Sequence, residues 1–180
     1  RDPGLAFSLQ FSRDNAARQV VEAREAELMQ VLAQVSNVDA RLDDHDRLPI
    51  DEGVLLKMLK ERGILGHAMV TIAKGKAVPC DLSPDQLVQA MSDAATFVRG
   101  RAGNGFAEEA DAPPKPGLNP EEFVELIVRC SQLKYSKVPQ ISMATKLSAF
   151  LRILLDGESP DVAFNAITRK RDVPPPFDPA

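Results

Sequence analysis

Three times along this chain a short polar residue stands before a proline and an acid: Ser83-Pro84-Asp85, Asn119-Pro120-Glu121 and Ser159-Pro160-Asp161. Each triplet reads as a helix start. The first residue offers a side-chain oxygen to orphan backbone N–H groups, the proline at N1 has no N–H to lose, and the acid meets the positive end of the helix dipole. Gln86 and Glu122 fall at N3, where they can complete capping boxes, and Leu118 and Phe123 have the spacing of a hydrophobic staple. Apolar residues follow at helical spacing: Leu87, Val88, Met91, Ala94, Ala95 and Val98 in the first, Phe123, Val124, Ile127, Val128 and Cys130 in the second, Val162, Ala163, Phe164 and Ile167 in the third. A further helix opens near Ser142, carries Leu147, Phe150, Leu151, Ile153, Leu154 and Leu155, and stops at Gly157. The unequal intervals between the three prolines, with no shared pattern beyond the caps, argue against a helical-repeat solenoid.

Upstream, no proline or glycine interrupts the chain between Ser12 and Pro49. Val21, Leu28, Val31, Val35, Val38 and Leu42 form a stripe with charged residues on the other faces, which predicts one long helix capped at Ser12 or Asp14. So narrow a stripe suits either a coiled-coil seam or a docking face; with barely two clean heptads, docking on the domain's own core is favoured. A second helix follows Pro49, with Asp51 near its start, Val54, Leu55, Met58 and Leu59 as its apolar face and Gly63 as the C′ residue. Between Ile64 and Cys80 the pattern is compatible with a short strand or a helical turn around Met69, Val70 and Ile72, broken at Gly75. Arg99 to Gly117 reads as a polar loop rich in Gly and Pro, and Pro174 to Ala180 as an extended tail. The expected fold class is all-α. Its expected parts are an N-terminal arm and long helix over 1–47, a helical domain over 48–172 and a proline-rich tail over 173–180.

Composition narrows the function classes. With 44% hydrophobic and 27% charged residues the chain is of ordinary soluble globular type, and a net charge of −4 argues against general nucleic-acid binding. No apolar run approaches the ~20 residues of a membrane span. The N-terminus lacks the basic-then-apolar order of a signal peptide, and Arg1 in place of Met reads as the start of a segment from a longer polypeptide. Cys80 and Cys130 have no paired spacing, so a reducing compartment is expected, with Cys130 a small core residue.

Two loops share an outline. With Asp111 as position one of a twelve-residue calcium loop, Leu118 falls at position eight, Glu122 at twelve and Phe123 just beyond. Positions three, five and six are Pro113, Lys115 and Pro116, which supply no side-chain oxygen, a positive charge and no turn glycine. With Asp43 as position one, Ile50 takes position eight, while His45, Arg47, Leu48 and Val54 stand at three, five, six and twelve. Neither set of side chains suits calcium. Both loops keep the hydrophobic position-eight residue through which paired loops make a short two-stranded contact.

Other candidate chemistry is sparse. Asp43, Asp44, His45 and Asp46 are the densest group of possible ligands, but no second cluster completes a shell; His67 stands alone. Glu121 and Glu122 are accounted for by capping and the helix dipole. Gly100 to Gly105 approximates a phosphate loop without a preceding strand, and Ser131 and Ser136 have no histidine nearby in sequence. No catalytic, cofactor-binding or metal residue is expected. Arg169-Lys170-Arg171 would meet the negative end of the last helix dipole, and as a surface patch it is the one partner-binding candidate.

The stretch from about Leu48 to Leu155 resembles the degenerate EF-hand-like domains of ciliary and flagellar axonemal proteins, and is distantly similar to the tubulin polymerization promoting protein family. The likeness is carried by Leu55-Leu56-Lys57-Met58-Leu59-Lys60 with Gly63-Ile64-Leu65, by Leu82-Ser83 opening a helix that reaches Phe97, and most strongly by Leu118 to Cys130 followed by Lys134-Tyr135. It continues into Lys146-Leu147 and the helix ending at Leu155, and departs from the pattern in the insertion from Arg99 to Gly117. The resemblance implies a non-enzymatic structural component of the axoneme that binds tubulin or neighbouring axonemal proteins without calcium or cofactor. The alternative is a calcium-responsive EF-hand adaptor that captures a target helix in a cytoskeletal complex.

Overall fold

The computed structural model describes residues 3–37, 47–72, 75–102, 117–138 and 141–172, the side chains of 97–102 and 167–172 excepted. The described residues are mostly helical. They form α1 (Pro3–Arg13), α2 (Asn15–Ala23), α3 (Glu25–Ser36), α4 (Glu52–Glu61), strands β1 (Met69–Thr71) and β2 (Ala77–Pro79), then α5 (Pro84–Ala102), α6 (Pro120–Lys134), α7 (Met143–Asp156) and α8 (Pro160–Asp172).

All three proline triplets open helices where the capping chemistry places them. Ser83 and Gln86 exchange side-chain bonds with each other's backbone N–H at 3.1 and 2.9 Å, and Asn119 and Glu122 do the same at 2.7 and 2.9 Å. Asp51 and Ser142 accept from the N–H of Val54 and Thr145 at the starts of α4 and α7. Gly157 closes α7 in the left-handed region at φ 69°.

The expected long N-terminal helix is instead two helices, α2 and α3, and a helix that the apolar stripe does not announce, α1, precedes them. Asp14 leaves helical geometry (φ −87°, ψ 93°) so that its carboxylate can accept the Ala17 N–H, which starts α2 afresh. Arg24 makes the second break, between α2 and α3. The stripe survives the breaks: Val21, Leu28, Val31 and Val35 are all buried, while Val38 and Leu42 lie outside the described residues. The two breaks let the chain follow the core. α1 lies against α5, α2 against α7, and α3 against α4 and α6.

α6 is the axis of the domain. It packs against α3, α5 and α7, and nearly every residue from Pro120 to Ser131 is buried, as is Lys134. Phe123, Leu126, Ile127 and Val128 each contribute roughly 1.5–3 kcal/mol by leaving water. Ile64 to Cys80 resolves into an antiparallel hairpin pairing Met69 with Pro79, Val70 with Val78 and Thr71 with Ala77, extended by a bridge between Gly66 and Leu82. α8 covers β1, and the Thr71 N–H donates to Asp161.

Several expectations need correction. α5 continues through Ala102, so Arg99 to Ala102 has helical backbone and is no loop; residues 103–116 lie outside the described set. Val54, Val88 and Val162, assigned to apolar faces, are 41%, 42% and 55% exposed. The tail from Pro174 lies outside the described residues.

Candidate functional site

The segments before α4 and α6 meet. Leu48 and Leu118 form an antiparallel bridge, each N–H donating to the other's carbonyl at 2.9 and 3.0 Å. The contact expected of the loops pairs the position-eight residues Leu118 and Ile50; the bridge observed pairs Leu118 with Leu48 instead. Gly117 sets the approach: at φ 101° it sits so close to Leu48 that a Cβ would fall 1.9 Å from the Leu48 carbonyl oxygen.

Beside the bridge, Arg47 reaches across to Glu122. Its Nε donates to Oε1 at 3.0 Å and its Nη2 to Oε2 at 2.7 Å, a two-pronged pair with side-chain exposures of 7% and 2%. Nη2 also donates to the Ala95 carbonyl at 2.7 Å, which adds α5 to the junction. Glu122 Oε1 accepts the Asn119 N–H as well, so one carboxylate both caps α6 and receives the guanidinium. In a calcium loop the carboxylate at position twelve would grip the metal with both oxygens. Here a fixed cation from the other loop engages both.

Two further groups of buried polar residues hang from α6. On the face toward α1, Glu125 is 0% exposed and accepts from Ser8 Oγ at 2.7 Å and Arg129 Nε at 3.2 Å. Arg129 also donates to the Gly4 carbonyl at 2.7 Å and lies 4.6 Å from the Phe7 ring centroid. Near the other end, buried Lys134 donates to the carbonyls of Ile64 and Cys80 at 2.9 and 3.0 Å, holding both legs of the hairpin. Burial pushes the Lys134 amine below its ordinary value, partly offset by the thiol of Cys80 and the carboxylate of Asp81. Burial raises the Tyr135 phenol, whose hydroxyl has no hydrogen-bond partner among the described residues and whose ring stacks 5.6 Å from that of Phe164.

The candidates read from sequence fall as follows. His67 does not stand alone: its Nδ1 lies 2.8 Å from the Asp81 carboxylate, on an exposed surface. Glu121 is exposed, while Glu122 does more than cap. Ser131 is buried and donates to the Val128 carbonyl; Ser136 is exposed. Cys80 and Cys130 are both buried free thiols. Arg169, Lys170 and Arg171 are on α8, but their side chains lie outside those described, as do Asp43, Asp44, His45, Asp46 and Asp111 altogether. Sequence reasoning missed Arg47, Glu125, Arg129 and Lys134. The signal for Glu125 and Arg129 was present: an i, i+4 acid–base pair on a helix whose apolar residues (Phe123, Val124, Leu126, Ile127, Val128) run too far round to leave a polar face.

No helix of the described residues is long and apolar enough to cross a membrane. No family model, no curated protein and no solved structure matches this chain.

Proposed function

We propose that this domain is a degenerate, calcium-independent EF-hand pair serving as a non-enzymatic scaffold in a ciliary or flagellar axoneme, where it holds tubulin or a neighbouring axonemal protein. The observation that carries the calcium-independent part is the Arg47–Glu122 pair. A permanent guanidinium meets the carboxylate that would otherwise seek a metal, so the loops are tied together in one arrangement whatever the calcium concentration. The Leu48–Leu118 bridge supports pairing of the two helix-loop-helix units, α3 with α4 and α5 with α6. The axonemal placement rests on the resemblance carried by Leu118 to Cys130 and Lys134-Tyr135. Arg169, Lys170 and Arg171 are the proposed contact with acidic partner surfaces such as tubulin tails.

Two measurements test this reading. Calorimetric titration with calcium is expected to give no binding heat at micromolar concentrations; tight binding would point to the calcium-responsive adaptor instead. Co-sedimentation with axonemal microtubules is expected to retain the chain at low salt and to weaken when Arg169, Lys170 and Arg171 are replaced by Glu. Failure to co-sediment under any salt condition would remove the axonemal assignment and leave the loop geometry untouched.

A further inference from the structure

α1 is held on α6 largely through polar contacts. Of its eleven residues only Ser8 and Phe11 are buried, and its seat on α6 is polar: Ser8 on Glu125, the Gly4 carbonyl on Arg129, the Phe7 ring against the same guanidinium. Glu125 and Arg129 form an i, i+4 pair of the kind that sits comfortably on a wet helix face, and burying such a pair under another helix costs desolvation that water would not demand. A face built this way tolerates being uncovered. The junction with α2 allows it: α1 ends one residue before Asp14, and Asp14 caps α2 by itself, so α2 does not need α1 for its first turn. Beside the seat, a cleft of about 260 Å³ between Phe7, Ala90, Asp93, Arg129 and Leu133 leaves its edge open.

We propose that the seat of α1 on α5 and α6 is an exchangeable helix-binding groove, filled in cis by α1 and open to a partner helix of the same chemistry. That partner is an amphipathic helix presenting a small residue, an aromatic ring, a hydroxyl and a second aromatic ring at i, i+3, i+4 and i+7, as Gly4, Phe7, Ser8 and Phe11 do here. The backbone carbonyl at the first position accepts from Arg129, the hydroxyl donates to Glu125, and the second ring enters the core where Phe11 is 7% exposed. The proposal deepens the scaffold reading by giving it a partner type, yet it stands on the α1 contacts alone and is independent of calcium or tubulin.

The test uses the full chain and a fluorescein-labelled peptide of residues Pro3–Arg13. Ser8→Asp in the chain removes the hydroxyl that Glu125 accepts from and leaves two buried carboxylates to share the one guanidinium of Arg129, 3.2 Å from Ser8 Oγ, which should eject α1. Fluorescence anisotropy is expected to show the peptide binding the Ser8→Asp chain at least tenfold tighter than the wild type, whose own α1 competes. A folded Ser8→Asp chain that ignores the peptide, or equal binding to both chains, would overturn the proposal. A domain-swapped dimer in place of the peptide complex would overturn the partner in favour of a second copy. Should Ser8→Asp fail to fold, hydrogen exchange on the wild type decides: α1 amides are expected to exchange at least tenfold faster than those of α6, and exchange of the two helices together would refute exchangeability.

Discussion

Arg47 and Glu122, seventy-five residues apart, close on each other in a two-pronged ion pair that neither loop could make alone. Removing one partner leaves a charge stranded out of water, which costs far more than the pair itself contributes. Arg47→Ala is therefore expected to lose ~3–5 kcal/mol of stability in urea denaturation. Arg47→Met with Glu122→Gln should recover more than half of that loss, since the glutamine amide oxygen still accepts the Asn119 N–H while the stranded charge is gone. A single-variant loss below about 1 kcal/mol would mean the pair is solvated in solution.

Gly117 and Gly66 both hold positive φ, at 101° and 99°, but only Gly117 faces another backbone. Alanine at Gly66 meets open space and should cost about 1 kcal/mol from backbone strain alone. Alanine at Gly117 must push Leu48 away and break the bridge to Leu118, so it is expected to cost at least twice as much. Matched urea midpoints for the two variants would show that the bridge has little role in stability.

The sequence was legible where the cause of structure is local. Ser83, Asn119, Ser142 and Ser159 each form their cap within three residues, so the starts of α5 to α8 could be read directly. Asp14 was legible for the same reason, being one of the two caps read for this helix and the one that accepts the Ala17 N–H. The break at Arg24 was hidden, because the apolar stripe runs on in register through α2 and α3 and Arg24 makes no side-chain cap bond. The hairpin was ambiguous because three-residue strands hold too little alternation to distinguish them from a turn. The site was the least legible part. Arg47 reads in sequence as a cation that spoils a metal loop; its carboxylate partner lies on α6, far along the chain, and no periodicity links them.

Phe123 and Val162 began as equivalent members of predicted apolar faces, and the fold separates them. Phe123 is 0% exposed at the start of α6, whereas Val162 is 55% exposed on α8. Phe123→Ala should destabilise by ~3–5 kcal/mol through lost transfer energy and an unfilled cavity. Val162→Ala should stay within about 0.5 kcal/mol of wild type. Thermal denaturation followed by circular dichroism separates the two, and a loss under about 1 kcal/mol for Phe123→Ala would contradict its placement in the core.

The alkaline limb of the stability curve should carry the signature of Cys130. Complete burial pushes its thiol up from 9.0 to about 12. Between those values the folded chain keeps a proton that the unfolded chain has released. Stability therefore falls as pH rises through the window, with a limiting slope of about 1.4 kcal/mol per pH unit. Cys80, raised to about 11 by burial, adds to the fall. Lys134 opposes it: its amine is lowered, so below 10.5 the unfolded state binds the extra proton and stability rises with pH. Cys130→Val isolates one contribution, because it removes the thiol while leaving Cys80 and Lys134 in place. Urea titrations of both chains from about pH 8.5 to about pH 10.5 are expected to give a shallower alkaline fall for Cys130→Val, and superimposable slopes would place Cys130 in contact with water.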